Sequence, residues 1–169
     1  MIGSDVERLG SAGGPRAASL RALCARYGLE VVHLAPDAGL PGSYWGEPEA
    51  GLLGDRLYVR DDTPLHSALH EACHYFCMDG VRRAALDTDA GGEFIEECGV
   101  CYLSVLLAPE IAGYDADRML ADMDAWGYTF RLGAARAWFE ADAADARAWL
   151  AAHGLIDASD RVRYARRRI

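Results

Sequence analysis

The apolar positions of this chain repeat at two different periods. In residues 15–28, "PRAASLRALCARYG", Leu20, Leu23, Cys24 and Tyr27 fall three and four apart, which predicts a helix with Pro15 near its start and Gly28 past its end. "LEVVHL" at 29–34 reads as a short strand, and "APDAGLPGSYWGEPEAG" at 35–51 is turn-rich and irregular. "LLGDRLYVR" at 52–60 sets Gly54-Asp55 between two apolar runs, the pattern of a tight hairpin. From there the period is helical. Thr63 as N-cap, Pro64 at the first helical position and Gly80 as stop predict a helix over 64–79. A largely apolar helix follows over 92–108, ending before Pro109. "DADRMLADMDAWG" at 115–127 and "RLGAARAWFEADAADARAWLAAHG" at 131–154 supply further helices, with a break at Gly133. The expected layout is α+β: one domain over 1–160 with a small antiparallel sheet at one side, then a basic tail at 161–169.

Composition narrows the possible partners. A net charge of −9 argues against nucleic acid, whose phosphates such a body would repel. No apolar run is long enough to span a bilayer, so no membrane partner is expected. All 17 basic residues are Arg, and five of them lie in the last nine positions, "RVRYARRRI". The preceding stretch therefore holds 12 Arg against 26 acids, a net of −14, and the tail is expected to be a frayed, solvated end that offsets it. The N-terminus lacks a basic region followed by an apolar core, and the five cysteines are odd in number. Reduced thiols and a cytoplasmic location are the expectation.

Residues 63–80, "TPLHSALHEACHYFCMDG", concentrate three of the five histidines and two of the five cysteines. Within them is His70-Glu71-Ala72-Cys73-His74. Side chains four apart on a helix stand one above the other, so two imidazoles on one face can grip one metal ion. Glu71, rotated about 100° around the helix from His70, reaches past that ion toward a bound water as general base. A catalytic zinc takes three protein ligands and keeps a fourth position open. The third ligand is sought in the apolar helix over 92–108, where a carboxylate is costly unless paired or bound. Glu97 shares its face with Cys101, Ser104 and Ala108, all small enough for close approach; Glu96, on the face of Val100, Leu103 and Leu107, is the alternative.

Other residues compete for roles. Cys77 lies on the face of His70 and His74 and would close the site as a fourth, structural ligand, and Cys98-Gly99-Val100-Cys101 forms a CxxC. Packing is the expectation for all of them: Cys98 in the core, and Cys73, Cys77 and Cys101 around the metal ligands. His66 is read as a residue of the first helical turn, and His33 and His153 as structural. Hydrolysis would need a donor to the developing oxyanion. Tyr128, Tyr114, Arg131 and His153 are candidates, with Tyr128 in "WGYTFR" preferred.

An HExxH followed about two dozen residues later by a helical Glu resembles the gluzincin arrangement of zinc peptidases. "RLYVRDDTP", "HEACH" and "EECGVCYLSVLLAP", in that order, are most similar to the compact ImmA/IrrE-like metallopeptidases, over roughly residues 50–109. The pattern departs at Cys73, where that family usually has Gly. The resemblance implies a zincin-like fold, bound zinc and hydrolysis of peptide bonds in a narrow range of peptide or protein substrates. It also implies an extended peptide lying beside the strand "RLYVR". The rival expectations are a non-catalytic, zinc-stabilised binding module and an adaptor built on the acidic outer faces of the helices over 115–153.

Overall fold

The computed structural model describes residues 5–42, 48–85 and 92–168; the 43–47 part of the irregular segment, and the ends of the chain, lie outside them. Seven helices and three strands follow one another among the described residues: α1 (Pro15–Ala25), β1 (Glu30–His33), β2 (Gly51–Leu53), β3 (Arg56–Val59), α2 (Leu65–Cys77), α3 (Gly80–Ala84), α4 (Phe94–Leu107), α5 (Ala116–Trp126), α6 (Ala135–Ala141) and α7 (Ala144–Ala152). A single 3-10 turn at Ala108–Glu110 extends α4. The α+β layout is as expected, and none of these helices is long and apolar enough to cross a membrane.

The sheet differs from expectation. Its order is β1-β3-β2, and it is mixed: β2 pairs with β3 antiparallel across the Gly54-Asp55 turn, whereas β1 pairs with β3 parallel, Glu30 opposite Arg56. The long connection over 34–50 gives the chain room to cross over and bring β3 in beside β1. Because β3 is central, both its edges are already hydrogen-bonded. The expected peptide beside "RLYVR" has no free edge there to pair with.

Helix ends differ too. Pro64, in extended conformation, is the N-cap of α2, and Thr63 instead accepts the Arg60 N–H on its hydroxyl (2.8 Å) to close the preceding turn. Met78, also extended, ends α2. Asp79 then accepts the Arg82 N–H at 2.9 Å, so Gly80 opens α3 instead of terminating α2. Residues 131–134 are not helical, and α6 begins only after Gly133.

The core lies where α2 and α4 pack face to face, with the sheet against α2 and α7 against the far side of α4. Eleven of the thirteen α2 residues are buried, including Leu65, Leu69 and Phe76. Gly99 makes the α4–α7 contact possible: a Cβ there would lie 2.8 Å from Trp149 Cε3. Tyr27, at the end of α1, stacks on Phe76 with ring centroids 3.6 Å apart.

The Arg-rich tail is docked, not frayed. The Arg167 N–H donates to the Phe76 carbonyl (2.8 Å), and the Arg168 N–H to the His153 carbonyl (2.9 Å). Both acceptors lie at helix C-termini, where carbonyls have no partner within their own helix. The Arg26 guanidinium covers the Tyr164 ring at 3.4 Å, and the Arg167 side chain pairs with Glu96. The tail's charge is thus spent partly in specific contacts.

Candidate metal centre

Helix α2 presents His70 and His74 one turn apart. Their Nε2 atoms are 3.1 Å apart, with the rings nearly perpendicular at 83°. Helix α4 places Glu97 against both: Oε1 lies 3.0 Å from His70 Nε2, and Oε2 lies 3.2 Å from His74 Nε2. Ligand atoms around a tetrahedral zinc with bonds near 2.0–2.1 Å stand roughly 3.3 Å from one another. The three donor groups therefore already converge to about the spacing that one ion requires. They are also the right chemistry, two imidazole nitrogens and a carboxylate. Glu71 is half-buried beside them, one carboxylate oxygen lying within 4.8 Å of a ring nitrogen of each of His70 and His74.

Electrostatics follow from the crowding. Burial would raise the Glu97 carboxyl, but the His70 hydrogen bond and the His70 and His74 charges outweigh it and hold the carboxyl down to about 2. Glu97 is anionic at any pH of interest. Cys101 Sγ lies 3.9 Å from His70 Nδ1, the ring nitrogen opposite the one that faces His74 and Glu97. Against burial, the Tyr128, Cys101 and Glu97 groups push the His70 pKa well above the usual imidazole range, so the metal-free ring is protonated. An ion held at Nε2 would replace the proton there and leave the one on Nδ1, directed at that sulfur. Cys77 belongs to none of the groups of convergent ligand atoms found among the described residues. All five cysteines are free, and Cys98, expected in the core, is only half-buried.

Glu96 points away from this centre. It is 3% exposed, and both its oxygens are held by Arg82, at 2.8 and 2.7 Å, with Arg167 at 3.0 Å on Oε1. The residue read as the alternative ligand is an ionic anchor between α4, α3 and the tail.

Of the four oxyanion candidates, only Tyr128 is at the centre: its ring meets that of His70 edge-on, with centroids 5.8 Å apart. Tyr114 donates to the buried Asp122 (2.8 Å), Arg131 pairs with Asp142 (2.9 Å), and His153 bonds the Trp149 carbonyl (2.8 Å). Burial raises the Tyr128 phenol, so it keeps its proton.

His66 lies in the first turn of α2, as expected, but it is not a solvated end residue. It is completely buried between Trp126 and Tyr128, with Nδ1 3.2 Å from the Tyr128 hydroxyl. Its Nε2 has no partner among the described residues. Burial, reinforced by the His70 and Arg8 charges, pushes its pKa down to about 3, so the ring is neutral. The signal was present in the spacing: His66, His70 and His74 occupy one helical face.

Comparison of the chain with protein-family models, curated proteins and solved structures found no match.

Proposed function

We propose that this protein is a zinc-dependent peptidase of the gluzincin kind, similar to the ImmA/IrrE-like metallopeptidases, with a zincin-like fold around α2 and α4. The observation that carries the reading is the triangle of His70 Nε2, His74 Nε2 and the Glu97 carboxylate, with all contacts between 3.0 and 3.2 Å and Glu71 alongside.

Zinc, when bound, supplies Lewis acidity, polarising a carbonyl and lowering the pKa of water. His70, His74 and Glu97 would hold it. Glu71 takes up a proton on its carboxylate and returns it to the leaving amine. Tyr128, protonated at neutral pH, donates to the oxygen that gains charge. His66 prepares it for that task. The ring nitrogen lacking a partner is cheaper to bury as a lone pair than as an N–H, which puts the single ring proton on Nδ1. That N–H donates to Tyr128 Oη, leaving the phenolic proton free to point elsewhere. The free thiols suit a reducing compartment, and a cytoplasmic location accompanies this reading.

One observation favours a second reading. His70, Glu97 and Cys101 also offer ligand atoms within 4.8 Å of one another, the makings of a thiol-containing, closed zinc site in a binding module. The orientation of the Cys101 sulfur toward Nδ1 weighs against it.

Incubation with a peptide library is expected to give cleavage that disappears on chelation and returns with about one equivalent of zinc per chain. Cleavage indifferent to chelation contradicts the proposal.

A further inference from the structure

Next to the metal centre is a cleft of about 180 Å³. One wall is a stripe of α4: Phe94, Glu97, Cys98 and Cys101, spaced i, i+3, i+4 and i+7 and hence on one face. Glu97 and Cys101 also belong to the candidate centre, so the cleft opens directly beside it. The opposite wall includes Phe130 and Trp138, stacked with centroids 5.0 Å apart. These two lie outside the 50–109 stretch that carries the family resemblance.

Three features specify an occupant. The first is size: a cavity of about 150 Å³ lined by apolar groups holds benzene, so this cleft has room for one six-membered aromatic ring. The second is unsatisfied apolar surface. Phe94, on the cleft wall, is 82% exposed, one of three large hydrophobic residues left exposed among those described. The third is charge. Arg131, a cation of the lining, is already paired with Asp142 through two hydrogen bonds, whereas Asp145 and Glu97 add negative charge. With Asp142 also on the wall, the lining carries three carboxylates against one guanidinium, a balance that disfavours an acidic side chain.

We propose that this cleft is the specificity subsite of the peptidase, taking one uncharged aromatic side chain of the substrate beside the scissile bond. The proposal rests on the zinc peptidase reading. Both can be tested without knowledge of the natural substrate, by titrating the zinc-loaded protein calorimetrically with three hydroxamates. Acetohydroxamate probes the metal alone, 3-phenylpropanohydroxamate adds the ring, and succinic monohydroxamate adds a carboxylate. The phenyl compound is expected to bind at least about tenfold more tightly than acetohydroxamate, the scale of burying most of an aromatic ring. The carboxylate compound should bind no better than acetohydroxamate. Phe94→Ser, at an exposed position that tolerates the change, and Cys98→Leu, which fills the cleft, should each erase most of the phenyl gain and leave acetohydroxamate affinity unchanged. Equal affinity for the acetyl and phenyl compounds, or a phenyl gain that survives both substitutions, overturns the subsite while leaving the zinc centre standing. Failure of all three compounds to bind the zinc-loaded protein marks a closed site and overturns the peptidase reading, and the subsite with it.

Discussion

Glu71→Gln is expected to keep both fold and zinc while slowing peptide hydrolysis by at least about 10²-fold, the scale of losing a general base. The substitution preserves shape and removes only the charge that accepts a proton. Glu71 follows His70 on α2 and is half-buried with its carboxylate close to both imidazoles. His70, His74 and Glu97 make up a three-ligand set without it, so on the proposed mechanism metal affinity should not depend on Glu71. Circular dichroism and zinc content would establish that the variant is intact, and initial rates on any cleaved library peptide would then report the base. A Glu71→Gln variant cutting as fast as the parent removes Glu71 from the mechanism.

Glu96→Ala is expected to destabilise the fold by about 3 kcal/mol, the lower end of the cost of breaking a buried ion pair. The lower end applies because the Arg82 and Arg167 side chains remain 30% and 21% exposed and recover some hydration when released. The loss removes the link that joins the N-terminal turn of α4 to α3 and to the tail. Its neighbour gives a sharp contrast. Glu97 has a side chain 45% exposed, and its ion pairs are with the histidines of the centre. Glu97→Gln should therefore remove zinc while destabilising the metal-free protein less than Glu96→Ala does, because the two histidines can shed their protons when the carboxylate is lost. Equal stability of the Glu96→Ala and parent proteins would show that the anchor contributes nothing.

The adjacent glutamates also show what a sequence can and cannot reveal. Facing directions on α4 follow from helical geometry, so the small residues at Cys101, Ser104 and Ala108 pointed to Glu97 as the side able to approach α2. The same geometry said that Glu96 shares its face with Val100, Leu103 and Leu107, but not that Arg82 and Arg167 would meet it there. Those partners are brought by α3 and by the tail, through contacts 14 and 71 residues apart in the chain. The tail looked solvated because its composition is basic; its docking depends on the Phe76 and His153 carbonyls, main-chain acceptors that every residue carries. Sheet order was hidden for a related reason. The hairpin is local, whereas the parallel pairing of β1 with β3 is set by a crossover that leaves no periodic signature. The cleft was illegible because its walls come from α4 and from residues 129–145, which no local pattern links.

The most direct test of the account is the zinc coordination sphere. Metal analysis of the purified protein, followed by X-ray absorption at the zinc edge, should give about one zinc per chain. It should be surrounded only by nitrogen and oxygen at about 2.0–2.1 Å, with two imidazoles among them. His70→Ala or His74→Ala should abolish binding. A sulfur shell at about 2.3 Å would mark a closed structural site built with a cysteine. That shell, or a protein that takes up no zinc at all, would contradict the account.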